Sequence, residues 1–284
     1  MIPGAWPAWR RAREADGLRR PELPPGAECR PDQAYGEAPA MRYDVYRPAR
    51  AAASCPVLAV VHGGGWQRGD KAQAAALQHK LTHWLERGFV VLSINYRLLP
   101  EADPLQQADD VARALAHAQA HAGDWGGDPE RFVLLGHSAG AHLVLLLASD
   151  ASCTLRHGLR GWRGSVALDC AALDLVELMR APHLPLYDAA FGDDELFWRE
   201  ASPLHRLQGR LAAPVLLVCS ARRPLAWRQA EAFAAKARGA GGTLQLERVD
   251  LGHAEINRLL GLPGAYTDVV DSFFASLGVG GASG

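Results

Sequence analysis

From residue 41 onward, short apolar runs alternate with segments whose apolar residues recur every three or four positions. Met41–Tyr46, Val57–Val61, Phe89–Ile94, Phe132–Leu135, Ser165–Ala171 and Val215–Cys219 read as strands, and Leu244 and Leu246 alternate in a last one. Leu77, Leu81, Trp84 and Leu85 mark one face of a helix that Gly88 can end. Ala108, Val111, Ala112 and Leu115 give a second helical stripe, and Ala141–Ser149, Ala226–Arg238 and the stretch from Tyr266 to Leu277 give three more. Continuously apolar strands separated by amphipathic helices predict an α/β domain: a mainly parallel sheet covered by helices on both faces. Residues 176–212 break this rhythm with Pro182, Pro185, Pro203 and mixed aromatics, and are expected to form a lid-like insertion above the C-terminal edge of the sheet. Residues 1–40, rich in Pro, Gly and Arg, are expected to form an N-terminal arm with one short helix around Ala8–Ala15. Its Trp6 and Trp9 are open to docking on the body or covering a pocket. The domain proper is expected over 41–277, and 278–284 reads as a flexible tail.

The composition narrows the partners. Lys+Arg number 30 and Asp+Glu 31, with 49% hydrophobic and 21% charged residues over 284 positions, which suits a globular chain with a large core and not disorder. The balanced charge, without a basic stripe, argues against nucleic-acid binding. There is no apolar run long enough to span a membrane and no secretory leader pattern. Five cysteines without CxxC or Cys/His ligand spacing predict no metal site and a reduced, cytoplasmic setting, with Cys170 and Cys219 as buried thiols. No cofactor motif is present, since the glycines precede no G-K-[S/T].

The chemistry is carried by three separated stretches. Gly136-His-Ser-Ala-Gly140 fits G-x-S-x-G between an apolar strand and a helix, a turn that lifts Ser138 Oγ above the sheet edge. Small residues two positions to either side are required because the backbone doubles back there. The turn also leaves the Ala139 amide at a helix N-terminus, suited to a developing oxyanion. His62-Gly-Gly-Gly-Trp66 follows an earlier strand; Gly64 and Gly65 are the expected further oxyanion donors and Trp66 a pocket wall. A serine hydroxyl needs a base, and His253 is the histidine that lies between the last strand and the C-terminal helix. His137 is expected to point away, and His142, His157, His183 and His205 to be surface or lid residues.

The triad acid is the open question. It is expected in the loop after Val215–Cys219, yet that loop reads Ser220-Ala-Arg-Arg-Pro-Leu, with Arg222 and Arg223 in place of a carboxylate. Asp174, following the strand Ser165–Ala171, is the substitute; the competing reading makes it a turn or helix cap. Asp250, Asp193, Asp194 and Glu195 are outside candidates, and a Ser–His dyad aided by water is the remaining alternative.

His62-Gly-Gly-Gly-Trp, Asn95-Tyr-Arg-Leu, Asp128-Pro-Glu-Arg and Gly136-His-Ser-Ala-Gly-Ala-His142 together resemble the α/β-hydrolase superfamily, in its carboxylesterase branch of hormone-sensitive-lipase-like and kynurenine-formamidase-like enzymes. The likeness runs from about Tyr35 to Phe274 and includes Ala201-Ser-Pro203 and Arg228-Gln-Ala-Glu-Ala-Phe233. It implies a serine hydrolase that cleaves a small carboxylic ester or aryl amide through an acyl-enzyme on Ser138. That group carries Asp or Glu just before the proline matching Pro224; this chain departs from the pattern with Arg223. An acyl transferase or cyclase using the same acyl-enzyme, and a binding protein on a hydrolase scaffold, are the alternatives. The oligomeric state is not legible in the sequence.

Overall fold

The computed structural model of the chain describes residues 19–50, 54–150, 152 and 157–280. Trp6, Trp9 and the helix expected at Ala8–Ala15 lie outside them, as do the last four residues of the tail. One eight-stranded sheet organises the molecule. Its strands are β1 (Glu28–Ala34), β2 (Arg42–Arg47), β3 (Cys55–Val61), β4 (Val90–Ile94), β5 (Gly127–His137), β6 (Gly164–Leu168), β7 (Val215–Ser220) and β8 (Leu244–Val249), in the order β1-β2-β4-β3-β5-β6-β7-β8. β1 and β2 pair antiparallel, as do β2 and β4; the other pairings are parallel.

The helices among the described residues are α1 (Ala74–Glu86), α2 (Pro104–Ala120), α3 (Ala139–Ser149), α4 (Leu175–Arg180), α5 (Pro185–Phe191), α6 (Glu195–Ala201), α7 (Pro203–Arg206), α8 (Pro224–Gly239), α9 (His253–Leu259) and α10 (Ala265–Ser276). Local chemistry sets their ends. Asp103 caps α2 by accepting from Leu105 and Gln106 N–H, Gln106 returns the bond, and Pro104 occupies the first turn. Gly88, at φ 77°, turns the chain after α1 into β4.

The alternation along each strand divides the core. Leu58 and Val60 of β3, with Val133 and Leu135 of β5, pack beneath Leu77, Leu81 and Trp84 of α1 and Phe273 and Phe274 of α10. Val57, Ala59 and Val61, with Phe132 and Leu134, face the other way, toward α2, α3 and α8. Side chains fully buried on both faces contribute on the order of 1.5–3 kcal/mol each, which is why the central strands read as unbroken apolar runs.

Two stretches gain detail beyond the sequence reading. Residues 28–34, expected within the N-terminal arm, form edge strand β1, anchored where Lys71 Nζ meets Asp32 (2.9 Å) and Asp44. Within the expected insertion lie α4, α5, α6 and α7, a helical segment packed over the C-terminal edge. Trp66 ties it to the sheet through ring contacts with Tyr187 (5.8 Å) and Phe191 (4.8 Å) of α5.

Candidate active site

Ser138 sits between β5 and α3 at φ 55° and ψ −117°, a conformation that a residue with a side chain holds only under constraint. Its neighbours explain the glycines around it. A Cβ at Gly136 would lie 2.3 Å from the Gly140 carbonyl oxygen, and one at Gly140 would lie 2.3 Å from that of Val61. The turn closes only with hydrogen at both positions.

The loop after β3 is equally constrained. Gly64, at φ 129°, has the Arg68 carbonyl oxygen 1.9 Å from where a Cβ would be; Gly65 has φ 60° and open space up to Leu186 Cδ1 at 3.8 Å. Trp66 holds the loop. Its Nε1 donates to His142 Nδ1 (3.3 Å), while its carbonyl accepts from Gln107 Nε2 (2.9 Å). His142 donates in turn from Nε2 to the Ala201 carbonyl (2.7 Å), and burial lowers its pKa to about 4, so it is neutral. The sequence reading put His142 at the surface or in the lid; the structure makes it the buried link between the glycine loop and the helical segment.

His253 opens α9, and its imidazole reaches across to Ser138, with Nε2 3.0 Å from Oγ. Its Nδ1 lies 2.6 Å from Asp169 Oδ2. With Nδ1–H donating to the carboxylate, the Nε2 lone pair is left to accept the serine proton. Asp169 follows β6 directly, is fully buried and takes φ 52°. Its Oδ1 accepts from the Ser220 amide (3.0 Å), and its Oδ2 also accepts from Arg223 Nη1 (2.6 Å). Burial alone pushes the Asp169 carboxyl up, but the bonds from His253 and the Ser220 amide and the charge of Arg223 outweigh it and hold its pKa at about 2.

Ser138, His253 and Asp169 line one cavity of ≈ 740 Å³ together with Gly64, Gly65, Trp66, Ala139 and the α5 residues Leu186 and Tyr187. All the expected site residues except Asp174 therefore meet here. The volume suits a small organic substrate.

The matching family model is BD-FAE, over residues 43–159. The chain is similar to a probable isoprenylcysteine alpha-carbonyl methylesterase of Oryza sativa subsp. japonica: 39% identical over 123 residues, 43% of this chain and 27% of that protein. It is also similar to the esterase LipQ of Mycobacterium tuberculosis, 31% identical over 201 residues, 66% of this chain and 46% of that one. The match thus spans less than half the length of these curated relatives. Among solved structures, esterase B from Lactobacillus rhamnosis with a tributyrin phosphonate inhibitor superposes with a TM-score of 0.74 at 20% identity, covering 95% of this chain and 93% of the other. A truncated carbohydrate esterase from gut microbiota gives 0.75 at 17%, covering 91% and 99%. The chain has the α/β-hydrolase fold that these esterase structures share.

In this fold the expected acid, Asp174, is elsewhere. It caps α4, accepting from the Glu177 amide (3.0 Å), and lies 3.1 Å from His205 Nε2. The capping alternative is the one the structure adopts. Asp250 and Glu255 engage Arg222, Asp194 caps α6, and Glu195 pairs with Arg180 and Arg199. The sequence reading passed over Asp169; the signal that could have found it is a lone carboxylate inside the apolar run Ser165–Ala171, where a buried charge needs partners. Arg223, which stands where the acid was expected, holds that carboxylate instead. Its Nη1 also contacts the Asp169 carbonyl (3.1 Å) and lies 3.0 Å from His253 Nδ1.

His137 does not point away. Its ring lies against that of His253, with centroids 4.6 Å apart, and its Nε2 donates to the His253 carbonyl (2.9 Å). Burial, joined by the neighbouring His253, depresses its pKa to about 3, so it acts as a neutral clamp on the backbone that carries the imidazole. Among the described residues no group of three or more His, Cys, Asp or Glu could hold a metal ion, and no helix is long and apolar enough to cross a membrane.

Proposed function

We propose that the protein is a carboxylic ester hydrolase working through an acyl-enzyme on Ser138. The observation that carries this reading is the continuous hydrogen-bonded chain Ser138 Oγ, His253 Nε2, His253 Nδ1, Asp169 Oδ2, with links of 3.0 and 2.6 Å, opening into the cavity. As Oγ attacks the ester carbonyl, its proton passes to His253 Nε2, and the imidazolium is stabilised by the Asp169 carboxylate. The carbonyl oxygen, now an oxyanion, is received by the amides of Gly64, Gly65 and Ala139; each such donor lowers the barrier by about 3 kcal/mol. Collapse expels the alcohol, which takes the proton from His253. Water then attacks the acyl-enzyme, giving its proton to His253, and the acid leaves as Ser138 recovers its hydrogen.

Esters are preferred here over aryl amides. The formamidase-like resemblance leans on Arg228–Phe233, and in α8 those residues support the fold: Arg228 bonds Glu177, and Gln229 bonds the Leu173 and Asp174 amides, none of them in the cavity wall. The test is steady-state hydrolysis of 4-nitrophenyl butyrate beside formanilide. The ester is expected to be cleaved far faster, with Ser138→Ala losing at least about three orders of magnitude in kcat. Full activity in that variant, or formanilide as the better substrate, contradicts the proposal.

A further inference from the structure

The charges around the cavity do not balance as they do around an ordinary serine triad. Among the described residues, Asp169 is the one carboxylate in its wall; it is fully buried and its oxygens are taken up by His253, the Ser220 amide and Arg223. Two guanidinium groups belong to the same wall, Arg68 at the exposed end of the glycine loop and Arg223 against the triad, its side chain 30% exposed. A Ser–His–Asp set alone carries one negative charge at rest. Here Arg223 cancels it, so the triad presents no net negative charge to the cavity. Arg223 has donors for an anion beyond Nη1, with the Tyr187 phenol alongside them. Its bonds to Asp169, like its close approach to His253, come from Nη1 alone, and a guanidinium presents a second edge suited to a carboxylate.

We propose that the substrate is an ester bearing its own anionic group, a short half-ester of a dicarboxylic acid, whose free carboxylate lies on Arg223 with Arg68 at the mouth. The inference rests on the hydrolase reading above and names its substrate class. Arg223 Nη1 is separated from Ser138 Oγ by one imidazole ring with a 3.0 Å approach on each side, so an acyl chain of succinate or glutarate length can bridge from the scissile carbonyl to the guanidinium. Once seated, the carboxylate restores the negative charge that Arg223 removes, and the ion pair favours binding.

The experiment compares 4-nitrophenyl hydrogen glutarate with its methyl-capped diester, equal in reach but neutral. The wild-type protein is expected to favour the free carboxylate by tenfold or more in kcat/KM, mostly through KM, and the preference is expected to shrink as salt rises, since screening weakens the attraction. The readout for variants is the ratio of the two substrates, so a general loss of activity cancels. In Arg68→Gln the ratio should fall several-fold, and in Arg223→Gln to one or below, with Arg223→Lys keeping part of it. Should Arg223→Gln fail to fold, the Arg68→Gln ratio and the salt dependence decide alone. A diester cleaved as well as the half-ester by the wild type, or a ratio indifferent to both arginines, overturns the inference and leaves the hydrolase reading standing. If neither ester is cleaved and Ser138 takes up no phosphonate, the hydrolase reading fails and the inference falls with it.

Discussion

Replacing Asp169 by Asn tests the third member of the proposed triad. The two oxygens of Asp169 accept three hydrogen bonds, the Ser220 amide on Oδ1 and His253 and Arg223 on Oδ2. An Asn side chain has one acceptor oxygen and one NH2 group. If the oxygen occupies the Oδ2 position, the NH2 is driven against the Ser220 N–H. If it occupies the Oδ1 position, the NH2 faces Arg223 and His253 Nδ1, and the imidazole turns to the tautomer whose Nε2 already carries hydrogen and cannot take the serine proton. Amide replacement of a triad acid costs about four orders of magnitude in kcat, or roughly 5.5 kcal/mol of barrier. Stability changes as well. The Asp169 carboxyl has its pKa lowered to about 2 in the folded protein from its ordinary value of 3.8. It therefore contributes stability of roughly 2.5 kcal/mol above pH 4 that is lost as pH falls through 2. The assay is kcat on 4-nitrophenyl butyrate together with urea unfolding at neutral pH, with Asp174→Ala as the comparison. That variant should lose about 1 kcal/mol of helix capping while keeping kcat within about twofold. An Asp169→Asn protein retaining a tenth of wild-type kcat, or an Asp174→Ala protein that is folded and inactive, would refute the assignment.

Further outcomes follow from the same geometry. Gly64→Ala should reduce kcat by about 100-fold or more through loss of an oxyanion donor, because its Cβ meets the Arg68 carbonyl at 1.9 Å; Gly65→Ala, with its nearest neighbour at 3.8 Å, should stay within about tenfold, and equal losses would remove the distinction. His137→Phe, which deletes the bond to the His253 carbonyl, should lower kcat about tenfold with little change in KM; an altered KM alone would speak against a positioning role. His142 has its folded pKa lowered to about 4, so the stability it confers is present above pH 6.5 and lost as pH falls toward 4, by about 3 kcal/mol. His142→Gln should flatten that part of the urea midpoint profile, and an unchanged slope would show that the ring takes up its proton without opposition.

Particular residues explain what the sequence reveals and conceals. The central strands and the helices that flank them are legible because both faces of the sheet are covered, so Val57–Val61 and Val215–Cys219 are apolar without interruption. The elbow is legible because the backbone permits only hydrogen at positions 136 and 140. β1 is hidden, since Glu28–Ala34 is an edge strand of mostly polar residues paired on one side only, with no alternation to detect. Asp169 is hidden for a different reason. The apolar run around it extends to Ala171, so the strand looks longer than the five residues that pair, and the carboxylate at its end is absorbed into it. A buried aspartate in such a run was the available signal, because its charge is tolerated there only with donors such as His253 and Arg223 around it. His137 and His142 are misplaced because their contacts, with His253 and with Trp66, are made across segments far apart in the chain.

The central claim, that Ser138 is the nucleophile, is tested most directly by treating the full-length protein with a fluorophosphonate and locating the adduct by intact-mass and peptide mass spectrometry. One adduct per chain is expected, on Ser138, forming in step with the loss of esterase activity and absent from Ser138→Ala. An adduct on another residue accompanying the inactivation, or no adduct on a folded protein that hydrolyses esters, would contradict it.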